Sequence, residues 1–416
     1  MRIISDLHIH SRFSRACSKQ INIPNLEKYA KIKGLNLLGT GDFTHPLWLK
    51  ELKESLGEDE SGVLKTDSGF SFLLSTELSN IYTQDGKGRR IHNVLLAPSF
   101  EVVDQINSEL LKKGRLDYDG RPIFSFSCVE LVEMMKAISQ DIEIIPAHIW
   151  TPWFAMFGSK SGFDCVKDCF KDQTKHIHAL ETGLSSDPAM NWRLSQLDKY
   201  SLVSFSDSHS FWPWRIGREA TVFDTDMTYQ SIINALRTKK GLVETIEVNP
   251  SYGKYHYDGH RNCNVCLDPK ESKELRNVCP KCKSPLTIGV LNRAEELADR
   301  PEGFRPEGAK PFKSLIPLSE IISAVIGIKQ VYSKGVSEIY NKLISKFDSE
   351  LNVLMVVPFE KLKGVVDEKI ADAIMKVRNE EIEICPGFDG VYGQAKFVRS
   401  EKISSSRKQS SLGDFS

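Results

Sequence analysis

The stretch that decides the fold is Asp6-Leu7-His8-Ile9-His10, which closes a β-type run over residues 2–10. On a strand, side chains two apart point to the same face, so His8 and His10 can grip one ion together. Moving outward, the same arrangement recurs: a short apolar run ends on a residue able to bind metal. Runs at 35–42, 70–78, 91–97, 142–149, 177–182 and 202–208 bring Asp42, Glu77, His92, His148, Glu181 and Asp207, with His209 just beyond the last. Helical patterns at 24–33, 102–113, 127–139 and 228–238 lie between them. Alternating strand and helix implies an α/β domain on a parallel sheet. About seven such units within residues 1–248 fit a (β/α) barrel better than an open sheet. In a parallel barrel the strand ends meet on one rim, where chemistry is done.

A lone histidine at a strand end is commonly a hydrogen-bonded polar residue and nothing more. The same placement at successive strand ends is a different matter, and the set predicts a multinuclear metal site. Mixed imidazole and carboxylate donors suit Zn, Mn or Fe better than Mg or Ca. Metals a few ångströms apart activate a water and stabilise both oxygens of an in-line phosphoryl displacement, so no protein nucleophile is needed. Glu77 and Asp207 are the carboxylates expected to take part in that chemistry. Asp6 and Glu181 are candidates to orient ligating histidines; ordinary polar residues at strand ends are the equal alternative. Neither a P-loop nor a Gly-x-Ser-x-Gly pattern is present.

Of the nine cysteines, four are paired as Cys263-x2-Cys266 and Cys279-x2-Cys282. This is the spacing of a four-thiolate zinc knuckle, a structural ion rather than a catalytic one. An odd cysteine count without a signal peptide points to a reducing, cytoplasmic setting. No run of about 18 apolar residues exists, so no membrane span is expected.

Boundaries follow the composition: a barrel over 1–248, a four-cysteine module over 249–295, a helical domain over 296–395 and a basic tail over 396–416, expected to be disordered. Aromatic clusters follow two of the candidate ligands directly, as Trp150-Thr-Pro-Trp153 after His148 and Phe211-Trp212-Pro-Trp214 after His209. With Tyr255, His260 and Arg261 ahead of the cysteines, they could stack on bases or touch phosphates. Packing of the barrel mouth explains the same clusters equally well. The chain ends on Gln409, Leu412 and Phe415 at the spacing of a sliding-clamp-binding box that lacks its second aromatic.

Asp6-Leu-His8-Ile-His10, Glu77, His92, Pro-Ala-His148 and Ser-Asp207-Ser-His209 resemble the PHP phosphoesterase superfamily. The resemblance implies a distorted (β/α)7 barrel holding two to three divalent ions (Zn, Mn or Mg). His8, His10, Glu77 and Asp207 would hold one ion. Glu77 would bridge to a second, held by His92 and His148, and His209 would belong to a third. Here the chain departs from the common pattern: it reads Ser14-Arg-Ala-Cys17-Ser18 after the paired histidines, and Asp42-Phe43 in place of Asp-His. Cys17, Asp42 and His45 are the substitutes available to a third site. Barrel, four-cysteine module, helical domain and clamp-like tail together resemble the endonuclease Q family. Gly-Thr-Gly-Asp42-Phe-Thr-His45-Pro and Asp258-Gly-His-Arg-Asn-Cys263 are the most particular local matches. That likeness implies a DNA repair endonuclease, bound to duplex DNA and located with the nucleoid. It would cut on the 5′ side of deaminated bases (hypoxanthine, uracil, xanthine) and abasic sites. A phosphatase of small monoesters and a non-catalytic adaptor between DNA and a sliding clamp remain open.

The charge is balanced, 55 basic against 55 acidic residues. The balance is a cancellation, with net −3 over 1–248 and over 316–395 against net +3 over 249–315 and over 396–416. Neutrality excludes a protein that coats nucleic acid and leaves a site-directed nuclease possible.

Overall fold

The computed structural model describes residues 1–397. The N-terminal unit is a mixed α/β domain built on one curled, half-barrel sheet. Its strands run in the spatial order Phe312–Ser314, Leu242–Glu247, Ala220–Asp224, Arg2–Asp6, Leu37–Gly39, Ser71–Gln84, Lys87–Ala97 and Glu143–Pro146. Two neighbouring pairs in the middle, Arg2–Asp6 with Leu37–Gly39 and Leu37–Gly39 with Ser71–Gln84, are parallel. The flanks are largely antiparallel.

The expected parallel sheet is therefore a mixed one, and the turn at 85–86 supplies a local reason. Asp85 and Gly86 both take positive φ, 54° and 72°, as a two-residue type I′ hairpin requires. That turn folds residues 71–97 into one long hairpin instead of two separate βα units. The strands Ala220–Asp224 and Leu242–Glu247, absent from the sequence expectation, pair antiparallel with each other. The parallel pair Ala179–Glu181 and Ser201–Val203 forms a separate ladder. Backbone bonds tie it to the main sheet at the site itself: Ile149 N donates to Glu181 O, and His10 N donates to Ser208 O.

Helices start where the sequence caps them. Asn22 accepts from Asn25 N ahead of Ile23–Lys33, which ends at a left-handed Gly34. Ser127 and Glu130 form a reciprocal capping box for Cys128–Ile138. The helix Tyr229–Thr238 buries Tyr229, Ile232, Ile233 and Leu236 against the sheet.

Residues 258–260 and 265–267 form a small antiparallel pair around the cysteines. The C-terminal part is helical, in five segments from Leu318–Val325 to Glu368–Arg378. A buried ion pair, Lys33 with Glu350 at 2.7 Å, fastens it to the first helix. A last hairpin, Glu383–Cys385 with Gln394–Lys396, returns to the residues ahead of the cysteines, where Tyr257 N donates to Gly387 O. Among the described residues no helix is long and apolar enough to cross a membrane.

Candidate metal centre

Glu77 is the hub. It lies mid-strand on Ser71–Gln84 and is fully enclosed. Its Oε1 stands 2.7 Å from His92 Nδ1 and 3.1 Å from His148 Nε2. Its Oε2 stands 3.2 Å from His10 Nε2 and 3.6 Å from His8 Nε2. Asp207 Oδ1 closes the first side, 3.0 Å from His10 Nε2 and 3.7 Å from His8 Nε2. Two donor groups result, His8–His10–Glu77–Asp207 and Glu77–His92–His148, each with all its donor atoms within 4.8 Å of one another. They share Glu77.

The donors fit divalent ions. His8 Nε2 is buried with no hydrogen-bond partner, a position that a cation would fill in place of a proton. His92 Nδ1 and His148 Nε2 face each other at 3.3 Å beside a shared carboxylate oxygen, an arrangement a metal ion would satisfy.

Backbone strain aims these groups. Asp42, His148 and Asp207 all have positive φ, at 45°, 29° and 47°. Such conformations cost of order 1–3 kcal/mol each and collect at functional sites. Gly41, in Gly39-Thr40-Gly41-Asp42, has φ 63°, and a Cβ there would run into the Ile9 carbonyl. The glycine lets this loop press against the paired-histidine strand.

Carboxylates behind the histidines hold their rings. Glu181 meets His8 Nδ1 at 3.0 Å and accepts from His148 N at 2.7 Å. Asp42 meets His10 Nδ1 at 3.0 Å and accepts from Ser11 N and Ser14 Oγ. The sequence reading counts Asp42 among the ligands, whereas its carboxylate stands on the far side of the His10 ring, with Nε2 facing Glu77 and Asp207. Asp6 accepts from Ser206 N, Ser206 Oγ and Gly217 N, and so braces the loop that carries Asp207.

The charges are mutually dependent. Burial opposes a charge on His8, but Glu181 and Glu77 overcome it and hold its pKa well above the usual imidazole range. Burial likewise opposes ionised Glu77, and His92 and Arg121 lead the groups that hold it well below the carboxylate range. Burial outweighs the pull of Glu77 on His92 and brings it down to about 4.

The third-site candidates do not converge. The His209 ring lies 4.6 Å from the His10 ring, and its Nδ1 meets the Asp207 carbonyl at 3.0 Å. His45 stacks on Phe13, 4.2 Å between ring centres. Burial pushes the Cys17 thiol up to about 12. None of the three belongs to either donor group.

Of the aromatic candidates, Trp150 and Phe211 are core residues, 1 % and 2 % exposed, and Trp150 Nε1 donates to Asn191. Burial removes both from reach of a base. Trp153 is 36 % exposed and meets Tyr255 edge-on. Trp212 and Trp214 stack in parallel at 5.2 Å and, with Tyr332, line a cleft of about 450 Å³ against the helical segment. Arg261 is exposed.

In the cysteine module, His260 joins Cys263, Cys279 and Cys282 as a donor group, with Cys282 Sγ 3.4 Å from His260 Nδ1. Cys266, expected as the fourth ligand, instead faces the Pro386 carbonyl at 4.0 Å. Strand alternation accounts for this: its neighbours Val265 and Leu267 pack inward with Cys279, which turns residue 266 outward. Arg121, which no sequence motif singled out, donates to Glu77 Oε2 at 2.9 Å. Its one sequence signal is Asp119-Gly120-Arg121-Pro122, a tight turn leading into a strand.

Comparison with known proteins places this architecture. The chain is similar to the crystal structure of the lesion-specific endonuclease PfuEndoQ from Pyrococcus furiosus, with a TM-score of 0.85 and 32% identity over 95% of each chain. The chain belongs to the endonuclease Q family. A crystal structure of Endonuclease Q with a 27-mer duplex substrate, which carries an abasic lesion at the active site, matches at TM-score 0.86. Identity there is 32%, over 96% of this chain and 97% of that one. Residues 317–381 match the family described as the MJ0043 C-terminal domain. The uncharacterized protein MJ0043 of Methanocaldococcus jannaschii is 32% identical over 275 residues, and that match covers only 33% of its length. At 95% of this chain, the match runs across half-barrel, cysteine module and helical C-terminus alike.

Proposed function

We propose that this protein is a metal-dependent endonuclease that nicks duplex DNA at base lesions, cutting the phosphodiester 5′ to deaminated bases (hypoxanthine, uracil, xanthine) and abasic sites. The observation that carries the reading is the pair of donor groups sharing Glu77, set in a fold whose endonuclease Q relative was crystallised on a duplex with an abasic lesion. Divalent ions held there supply an activated water and charge stabilisation for in-line displacement at phosphorus.

The chain's own residues divide the remaining work. His8, His10, Glu77 and Asp207 form one seat, and Glu77, His92 and His148 the other. Glu181 and Asp42 orient His8 and His10 through their Nδ1 atoms, which points Nε2 inward. Trp212, Trp214 and Trp153, partly exposed on the loops that follow His209 and His148, offer ring faces for unpaired bases, and a lesion lowers the cost of unstacking. The cysteine module, with His260 beside Cys263, Cys279 and Cys282, suits one structural zinc ion.

The domain assignment proposed is metal barrel, zinc module and DNA-gripping helical domain, with a clamp-binding tail beyond them. Gln409, Leu412 and Phe415 lie outside the described residues. The deciding experiment incubates the protein and manganese with labelled duplexes carrying one deoxyinosine, one deoxyuridine or one abasic site, and in parallel with p-nitrophenyl phosphate. A single nick beside the lesion is expected. Turnover of the small ester alone would overturn the reading in favour of a phosphatase.

A further inference from the structure

The metal centre carries one cation that cannot serve as a ligand. Arg121 lies between the helix Phe100–Leu111 and the short strand Ile123–Phe124. Its loop is pinned in place. Gly120 N donates to Phe13 O, Thr44 Oγ1 donates to Gly120 O, and Asp119 accepts from Arg121 N. A Cβ at residue 120 would clash with Asp42 Oδ2 and Ser14 Oγ, so only glycine lets the loop rest on the groups behind His10. The guanidinium is thereby delivered to the edge of the centre, with 26 % of the side chain exposed beside a fully enclosed Glu77.

An arginine offers five N–H donors in a planar fork and no lone pair for a metal. One nitrogen serves Glu77. Among the described residues, the rest of the fork meets no protein acceptor. Glu77, Asp207, Asp42 and Glu181 bring four negative charges to the centre, which two divalent ions would offset. The guanidinium would then stand without a counter-charge of its own, which a bound anion would supply. A DNA phosphate is an anion of the right shape for a guanidinium fork.

We infer that Arg121 is a catalytic residue that binds the scissile phosphate and takes up the charge growing on its non-bridging oxygens. The guanidinium keeps its proton throughout. The inference rests on the nuclease reading above. The competing role is a counter-ion that merely steadies Glu77 before metal arrives.

The test compares wild type with Arg121→Gln and Arg121→Lys by metal content, orthophosphate binding to the manganese-loaded protein, and single-turnover nicking of a lesion duplex. Arg121→Gln is expected to keep wild-type metal content and fold. It should weaken orthophosphate binding about tenfold or more, the worth of a charge-assisted hydrogen bond. It should slow nicking about 100-fold, as loss of an oxyanion donor does, with Arg121→Lys recovering part of both. Loss of metal from Arg121→Gln, or phosphate binding and nicking at wild-type levels, would overturn the inference. If wild type nicks no lesion duplex, the nuclease reading fails, while phosphate binding still decides whether Arg121 is an anion ligand.

Discussion

Replacing Lys33 by methionine separates the helical segment from the barrel in a calculable way. Lys33 Nζ lies 2.7 Å from Glu350 Oε1 and 2.9 Å from the Pro213 carbonyl. The two side chains are 2 % and 0 % exposed. Glu350 also accepts from Leu318 N at 3.0 Å and Tyr340 OH at 2.8 Å. In Lys33→Met the carboxylate keeps two neutral donors and loses the one counter-charge it has among the described residues. Breaking a buried pair from one side costs about 3–5 kcal/mol. The expected loss is therefore about 3–5 kcal/mol. Urea unfolding of the metal-loaded protein reads it, with Lys33→Met/Glu350→Gln recovering most of the loss because no stranded charge remains. A loss under about 1 kcal/mol, or a double variant no more stable than Lys33→Met, would refute the reasoning.

Glu181→Gln should leave the fold intact and weaken metal binding about 10–100-fold, because His8 and His148 lose the carboxylate that holds them; a chelator-competition titration measures it. Burial pushes Glu247 up to about 8, so its contribution to stability is complete at low pH and lost between the ordinary carboxyl range and pH 8. Glu247→Gln, fixed in the neutral form, should flatten the fall of melting temperature across that window, and an unchanged pH profile would show that the group does not titrate there. Zinc analysis of Cys279→Ser should show loss of one ion, whereas the geometry here expects Cys266→Ser to keep it and His260→Ala to weaken it. Deleting residues 409–416 should abolish binding to a sliding clamp in pull-down assays and spare nicking.

What the sequence by itself determined is which side chains stand as candidate metal donors. His8 and His10 two apart, Glu77, His92, His148 and Asp207 were readable because a strand's period of two and the ends of apolar runs are local properties. The cysteine spacing and the helical C-terminus were readable for the same reason. Strand pairing was not local. The Asp85-Gly86 turn was there to read, yet the direction of the strand Ala220–Asp224 depends on a partner more than 200 residues away at Arg2–Asp6, and Leu242–Glu247 pairs onto that strand in turn. The division of labour among the polar groups was also decided in three dimensions. Asp42 stands behind His10, His260 stands where Cys266 was expected, and Trp150 and Phe211 are core residues. Arg121 reaches Glu77 only because Gly120 lets its loop rest on Asp42 and Ser14. Spacing along a strand says which face a side chain takes; which atom it meets there is decided by chain segments that only folding brings together.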